Sequence, residues 1–207
     1  MNSIDAPSVI RIVDDDDAYR HALTRLLEAT GYTVRAYASA GEFLLDDSTA
    51  GLPGCLLLDV CMPGPTGPKL HEALARRGDT TPIIYLTALD DVPTSVRAMR
   101  AGAVNFLQKP VERETLLAAI SEAIERDRIA SDARRRLDEL RSRYASLTDR
   151  EQDVVTEVVR GRLNKQIAGD LGMGERTVKA HRAQAMAKMH AGSLAELVDL
   201  IGALRPR

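Results

Sequence analysis

The sequence predicts an α/β doubly wound sheet of five parallel strands, followed by an all-α helix-turn-helix domain that a long helix joins to it. Short aliphatic or β-branched runs alternate with helical stretches over the first 125 residues, as in consecutive βαβ units. From Glu112 to Ala145 the chain contains no Gly and no Pro, which favours uninterrupted helix. The remaining residues read as short helices separated by Gly161 and by Gly172-Met173-Gly174.

Five short runs are the predicted strands. The clearest is Cys55–Leu58, because a continuously apolar run is typical of a central parallel strand that is buried on both faces. The full set is Val9–Val13, Tyr32–Tyr37, Cys55–Leu58, Ile83–Leu86 and Val104–Leu107. Apolar residues at helical spacing, such as Leu23, Leu26 and Leu27, occupy the stretches between them.

The length of the chain allows one large domain or two small ones, and its composition predicts aliphatic cores. Its 207 residues are 44% hydrophobic but only 3% aromatic. Two cysteines are too few for a disulfide framework, which indicates free thiols in a reducing compartment. No signal peptide and no run of about 18 apolar residues is present, so we expect a cytoplasmic protein without a membrane partner. Residues 1–126 contain 12 basic and 18 acidic side chains and residues 148–207 contain 10 and 8, which suggests different partners for the two parts.

Polar residues come at the ends of four predicted strands. Asp14–Asp17 follow the first strand, Asp59 the third, Thr87 the fourth and Lys109 the fifth. The carboxyl ends of parallel strands lie at one edge of a doubly wound sheet, where ligands bind. Crowded carboxylates are tolerable around a divalent cation, and hard oxygen ligands suit Mg²⁺. Asp59 is then a candidate nucleophile toward a phosphoryl group, with the metal, Lys109 and Thr87 stabilising the phosphoryl oxygens.

Each of these residues has an ordinary structural explanation when it is taken alone. Asp16 or Asp17 is expected to cap a helix, Thr87 could be a turn residue, and Lys109 could lie on the surface. Their arrangement at one edge of a single sheet is what favours a site.

Four segments resemble the receiver domain of two-component response regulators, which has a flavodoxin-like fold. They are Ile12–Asp16, Leu57–Gly64, Leu86–Ala88 and Phe106–Pro110. The resemblance implies that Asp59 accepts a phosphoryl group from a sensor histidine kinase. It also implies that Asp15, Asp59 and the backbone carbonyl of Cys61 ligate Mg²⁺, with Asp14 acting mainly through water.

The same resemblance assigns the switch residues. Thr87 and Lys109 would sense the phosphoryl group, and Phe106 occupies the aromatic switch position. Two departures lie beside the site: Ala88-Leu89-Asp90-Asp91 replaces the Gly-His-Gly-Asp of many relatives, and Pro65 and Pro68 stiffen the loop after Asp59. Neither departure removes a ligand.

A heptad-like stripe marks the long helix beyond the predicted sheet. Its members are Ala130, Ala133, Leu137, Leu140, Tyr144 and Leu147. The stripe fits either a solvated linker or a coiled coil that forms a dimer, and the sequence leaves both open.

A helix-turn-helix is predicted near the carboxyl terminus. Thr148 and Glu151 form a capping box, Asn164–Leu171 reads as a short helix, and Glu175–Met189 reads as a second helix beyond a glycine turn. The second helix carries Arg176, Lys179, Arg182 and Lys188, the charge expected for contact with DNA phosphates. Its first two turns are expected to enter the major groove. A generic helix bundle with a solvated basic face is the alternative.

Four segments of this region resemble the LuxR-type domain of the NarL/FixJ class. They are Leu147–Glu151, Asn164–Ala168, Thr177–Arg182 and Ser193–Val198. The resemblance implies that Lys179, Ala180 and Ala183 face base edges. The phosphate contacts that it implies are made by Asn164, Lys165, Thr177 and Arg182.

The sequence therefore predicts a phosphorylation-controlled transcriptional regulator that is not an enzyme. Its predicted parts are a receiver at 1–126, a helical linker at 127–146 and a DNA-binding domain at 147–207. Phosphorylation is expected to alter the surface of the receiver's fourth helix and fifth strand, and to control homodimerisation and binding to double-stranded promoter DNA. An aspartyl-phosphate enzyme such as a phosphatase is disfavoured, because Cys61 stands where a second acid is usually needed. A DNA-binding regulator that works independently of phosphorylation is the other alternative.

Overall fold

The computed structural model describes residues 8–46, 48, 52–88 and 102–204. The chain divides into two compact units, Met1–Ser131 and Asp132–Arg207, and the division falls inside a helix. Over the described ranges, no helix is long and apolar enough to cross a membrane.

The first unit is built on a parallel sheet of five strands in the order β2-β1-β3-β4-β5. The strands are β1 (Val9–Val13), β2 (Thr33–Tyr37), β3 (Gly54–Asp59), β4 (Ile83–Thr87) and β5 (Asn105–Gln108). This order is that of flavodoxin-like doubly wound sheets, and it confirms the predicted fold class. Strands β3 and β4 are longer than predicted. Asp59 and Thr87, which were expected to follow these strands, are their last residues.

Helices cover the sheet of the first unit. They are α1 (Asp17–Ala29), α2 (Ala40–Leu45), α3 (Gly67–Arg76) and α4 (Arg113–Ala145). Asp16 caps α1 by accepting a hydrogen bond from the Tyr19 amide at 3.0 Å, as one of the two predicted caps. The fourth receiver helix expected between β4 and β5 falls within residues 89–101, outside the described residues, as do Leu89–Asp91 of the sequence departure.

Two apolar clusters sandwich the sheet. One contains alternate strand residues such as Ile12 and Leu57, packed against Leu27 of α1 and Ile120 of α4. The other contains the intervening strand residues, packed against α3. Because every residue of β1, β3 and β4 is buried, these strands are covered on both faces, as their apolar runs predicted. Full burial of each Leu or Ile contributes about 1.5–3 kcal/mol, which fixes the strand ends in place.

A buried carboxylate attaches α4 to the amino edge of the sheet. Asp127 is 6% exposed, and its Oδ2 accepts a hydrogen bond of 2.9 Å from the amide of Gly54 at the start of β3. Gly54 has a φ of +149°, and a Cβ there would lie 2.0 Å from the Val9 carbonyl oxygen. The neighbouring Arg11 is also buried; its burial lowers the guanidinium pKa, and the charge of Asp127 is among those that oppose this.

Four helices make up most of the second unit. They are α5 (Asp149–Val159), α6 (Asn164–Asp170), α7 (Glu175–Met189) and α8 (Leu194–Leu204). The bounds of α7 are those predicted, and α6 ends one residue early. The predicted capping box is present: Thr148 Oγ1 accepts from the Glu151 amide at 3.3 Å, and Glu151 Oε2 accepts from the Thr148 amide at 2.8 Å.

The two ends of the heptad-like stripe differ in burial. The residues predicted to be helical from 112 onward form the single helix α4, of 33 residues. Leu140, Tyr144 and Leu147 pack into the core of the second unit, whereas Ala130 and Ala133 are exposed. The later part of the stripe therefore serves packing within the chain.

We expect Asp127→Ala to lower the free energy of unfolding of the first unit by about 1–3 kcal/mol, because the buried Gly54 amide loses its acceptor. Glu122→Ala is the matched control on the same helix: Glu122 is half exposed and pairs with Arg126 on the surface, so its loss should change stability by less than about 1 kcal/mol. Calorimetric unfolding of the full chain measures both. Equal effects of the two substitutions would contradict the anchoring role of Asp127.

Candidate functional site: an acidic pocket and a DNA-binding surface

The structure brings the predicted pocket residues together at the carboxyl edge of the sheet. Asp14, Asp15 and Asp59 each offer a carboxylate oxygen, and these oxygens lie within 4.8 Å of one another. Asp14 and Asp59 are buried, whereas Asp15 is exposed. Strand pairing produces this cluster, because Val13 lies opposite Leu58, so the residues that follow them are neighbours.

Lys109 closes the pocket from β5. Its Nζ lies 2.7 Å from Asp14 Oδ2 and 2.9 Å from Asp59 Oδ1, and its side chain is 14% exposed. Its amide donates a hydrogen bond of 2.6 Å to the carbonyl of the buried Thr87, and the Lys109–Pro110 peptide bond is cis. Lys109 is thus held at both its backbone and its ammonium, between the strand ends that carry the other pocket residues.

Local contacts fix the orientation of Asp14. Its Oδ1 accepts a hydrogen bond of 3.0 Å from the Asp16 amide, and its carbonyl accepts one of 2.6 Å from Arg20 Nη1. Arg20 also forms an ion pair with Asp17. The first turn of α1 therefore holds the Asp14 carboxylate toward Lys109.

The electrostatics of the pocket suit a divalent cation. Burial raises the pKa of Asp59, Lys109 opposes this, and the charges of Asp14 and Asp15 add to it. The pKa of Lys109 is raised, because its hydrogen bonds to Asp14 and Asp59 outweigh the effect of its burial. Three carboxylates that repel one another, with one outermost and exposed, form a set of hard oxygen donors that fits Mg²⁺. The carbonyl of Cys61, two residues after Asp59, stays a predicted ligand.

Gly67 abuts the backbone of Asp59. It is the first residue of α3, and a Cβ at this position would lie 2.3 Å from the Asp59 carbonyl oxygen. Its amide donates a hydrogen bond of 3.2 Å to the Val60 carbonyl. Only a glycine allows the loop after β3 to return this closely to the pocket.

The predicted aromatic switch residue is in contact with a second aromatic ring. Phe106 is half-buried on β5 and pairs in register with Tyr85 of β4, with the ring centroids 6.2 Å apart. Tyr85 is 1% exposed, and its hydroxyl lies 3.1 Å from Nδ1 of His71 on α3. A change in the orientation of Phe106 would therefore change a contact that reaches α3.

The predicted DNA-binding residues lie mainly on the outer face of α7. Val178, Ala185 and Met189 are buried in the core of the second unit. The exposed predicted residues are Arg176, Thr177, Lys179, Ala180 and Ala183 on α7, with Lys165 on α6. Arg182 is half-buried, and its Nη1 lies 3.4 Å from Oδ1 of Asn164, so two of the predicted phosphate contacts are coupled to each other.

Lys188 has a contact within the domain that the sequence did not predict. It was predicted to contact DNA, but its Nζ lies 2.6 Å from Oε2 of the buried Glu151 and 3.2 Å from the Ser146 carbonyl. Its side chain is 36% exposed. The ammonium therefore neutralises a buried carboxylate at the start of α5 and supports packing of α7.

Sequence reasoning missed Tyr19, Gly67 and Tyr85. Each matters through a neighbour distant in sequence: Tyr19 lies against Lys109, Gly67 against Asp59 and Tyr85 against Phe106. The one local signal was the Gly-Pro step at residues 67–68, which marks a helix start.

Comparisons with known proteins agree with this architecture. The model of the response regulator receiver domain matches residues 10–121, and that of the luxR family of bacterial regulatory proteins matches residues 145–201. Nodulation protein W of Bradyrhizobium diazoefficiens is 42% identical over 193 residues, covering 93% of this chain and 85% of that protein. Response regulator protein TodT of Pseudomonas putida is 41% identical over 201 residues, covering 97% of this chain and 88% of that protein.

A solved structure extends the likeness to the fold. The structure of the response regulator StyR has a TM-score of 0.86 and 43% identity, and the match covers 95% of this chain and 99% of that chain. The chain belongs to the two-component response regulators of the NarL/FixJ class, DNA-binding regulators of transcription that combine a receiver with a LuxR-type domain.

We expect Gly67→Ala to lower the free energy of unfolding of the first unit by about 1–3 kcal/mol, because the new methyl group must displace the backbone of Asp59. It should also weaken the stabilisation that Mg²⁺ gives, since Asp59 is a predicted ligand. Denaturation with and without Mg²⁺ measures both effects. Gly41→Ala is the control, because its Cβ would meet only the Ser39 hydroxyl at 3.7 Å. An unchanged response to Mg²⁺ in Gly67→Ala would show that Asp59 has not moved.

The ion pair of Glu151 should make stability depend on pH. Lys188 and the Thr148 amide hold the pKa of Glu151 below its ordinary value of 4.5. A lowered carboxyl pKa gives stability that is present above that value and is lost as the pH falls through the pKa of the folded state. The free energy of unfolding of wild type should therefore exceed that of Glu151→Gln by about 1 kcal/mol near neutral pH, and the difference should be smaller in acid. Unfolding curves between neutral and acidic pH test this, with Asp153→Asn, which removes a surface ion pair with Arg150, as the control.

Proposed function

We propose that this chain is a phosphorylation-controlled regulator in which Asp59 accepts a phosphoryl group from a sensor histidine kinase, and in which this change controls dimerisation and binding to promoter DNA. The single observation that carries the proposal is the Lys109 ammonium, which lies within 3 Å of both Asp14 and Asp59 in an acidic pocket. The proposal divides the chain into a receiver at 1–126, a helical linker at 127–146 and a DNA-binding domain at 147–207.

The proposed reaction transfers a phosphoryl group from a nitrogen of the kinase histidine to a carboxylate oxygen of Asp59. An Asp59 carboxylate oxygen attacks the phosphorus of a phosphohistidine, the P–N bond breaks, the imidazole leaves and an acyl phosphate forms. Asp15, Asp59 and the Cys61 carbonyl, with Asp14 through water, would hold Mg²⁺, and the bound ion would supply positive charge to the phosphoryl oxygens. Lys109 is already in place to supply a second positive charge.

The response to phosphorylation would begin at Thr87 and Lys109. The hydrogen bond from the Lys109 amide to the Thr87 carbonyl links the two residues that would contact the phosphoryl group. A shift of Thr87 changes the space beside β5, where Phe106 packs on Tyr85. The surface of β5 and of the helix expected between β4 and β5, which falls outside the described residues, would then change and pair two chains or free the DNA-binding domain.

DNA binding is assigned to the outer face of α7. Lys179, Ala180 and Ala183 would face base edges in the major groove, and two of these carry no hydrogen-bonding side chain. Arg176, Thr177 and Arg182 on α7, with Asn164 and Lys165 on α6, would contact phosphates and position the helix. The protein would act in the cytoplasm, as a regulator and not as an enzyme.

Affinity for DNA with and without a phosphodonor tests the proposal. Duplexes selected by the wild-type protein from a random pool are titrated with wild type and with Asp59→Asn, each with acetyl phosphate and Mg²⁺. Wild type should bind about 5- to 150-fold more tightly with the donor, the usual range of coupling between sites. Asp59→Asn should show no response, and neither should wild type in EDTA.

Three results would contradict the proposal. Equal donor responses in wild type and Asp59→Asn would remove Asp59 as the acceptor. Tight binding by a wild type that incorporates no phosphate would favour a regulator that works independently of phosphorylation. Multiple turnovers on small phosphate esters would instead indicate a phosphatase.

A further inference from the structure

We propose that Tyr19 is a positioning residue that holds the Lys109 ammonium in place for the phosphoryl group through the face of its ring. The inference rests on the proposed function of Asp59 and adds a residue to that site. Lys109 Nζ lies over the Tyr19 ring, 4.7 Å from its centroid. A cation within about 6 Å of an aromatic ring centroid, over its face, is attracted by the quadrupole of the ring.

The position of Tyr19 is fixed from two directions. Its amide donates to the Asp16 cap at 3.0 Å, in the first turn of α1. Its side chain is half-buried and packs against the core cluster between α1, α4 and the sheet. The ring is therefore a rigid wall of the pocket, whereas the Lys109 stem has four rotatable bonds and needs fixed partners.

The ring has one property that the two carboxylates lack. Asp59 gives up its free carboxylate when the acyl phosphate forms, and Asp14 would turn to a metal-bound water when Mg²⁺ binds. Both partners at 2.7 Å and 2.9 Å therefore change during the cycle. Tyr19 takes part in neither event, so its ring would remain available to Lys109 after both and would keep the ammonium directed toward Asp59.

Three variants of the full chain separate the ring from its hydroxyl and from general packing. Tyr19→Leu removes the aromatic face, and Tyr19→Phe keeps it without the hydroxyl. Tyr32→Leu is the matched control. Tyr32 packs against the same cluster, but it lies at the amino end of β2, whereas the pocket lies at the carboxyl ends of the strands. Thermal unfolding of each variant identifies any that fails to fold.

Two measurements are made on each variant. The first is the rate of Asp59 phosphorylation by acetyl phosphate with Mg²⁺, which Tyr19→Leu should lower by about 3- to 30-fold, the range for a partly buried cation–π contact. The second is the ¹⁵N signal of the Lys109 ammonium in metal-free protein, assigned with Lys109→Arg. This signal should be sharp in wild type and Tyr19→Phe, and broadened by faster proton exchange in Tyr19→Leu.

The outcomes distinguish the two proposals. Tyr19→Phe and Tyr32→Leu should stay within about twofold of the wild-type rate, below the smallest effect expected for the lost ring contact. The inference is overturned if Tyr19→Leu keeps the wild-type rate or the wild-type ammonium signal, if Tyr19→Phe is as impaired as Tyr19→Leu, or if Tyr32→Leu loses as much activity as Tyr19→Leu. A wild type that takes up no phosphate contradicts the proposed function, whereas an unchanged Lys109 signal in Tyr19→Leu contradicts this inference alone.

Discussion

The ion contacts of Lys109 with Asp14 and Asp59 are the constraint on which the rest of the first unit depends. Buried charges are costly unless they are paired closely, so these three side chains must meet within about 3 Å. They come from the ends of three strands, and only a sheet that places β1 beside β3 and closes with β5 beyond β4 brings them to one edge. The strands β1, β3 and β4, which are buried on both faces, hold that register.

The second unit also pairs a buried carboxylate with a lysine, but there the pair stabilises the domain. Lys188 satisfies a buried carboxylate at the start of α5, and so the cation stabilises the domain. Arg176 and Lys179 lie on the outer face of the same helix and are exposed. Charge on α7 is thus divided between an internal ion pair that fixes the helix and an outer surface that is available for DNA.

Most of the fold and the core of the pocket could be predicted from the sequence, because both follow from local patterns. Apolar runs mark the strands, and polar residues at their carboxyl ends must meet at one edge. Tyr19 could not be predicted, since its partner Lys109 lies far along the chain and only the packing of α1 brings them together. The ion pair of Lys188 could not be predicted for the same reason, because the sequence does not show whether a basic residue on a helix contacts DNA or Glu151.

The contacts of Asp59 also explain how its chemistry can reach beyond the pocket. Its carbonyl lies against Gly67 at the start of α3, while its carboxylate contacts Lys109, which is bonded through its backbone to Thr87. On the same face of the sheet, Phe106 packs on Tyr85, whose hydroxyl reaches His71 of α3. Helix α3 is therefore in contact with the acidic pocket at its first turn and with the Tyr85–Phe106 pair one turn later. The proposed change at Phe106 and the proposed change of charge at Asp59 would therefore both act on α3, an element that is in contact with each of them.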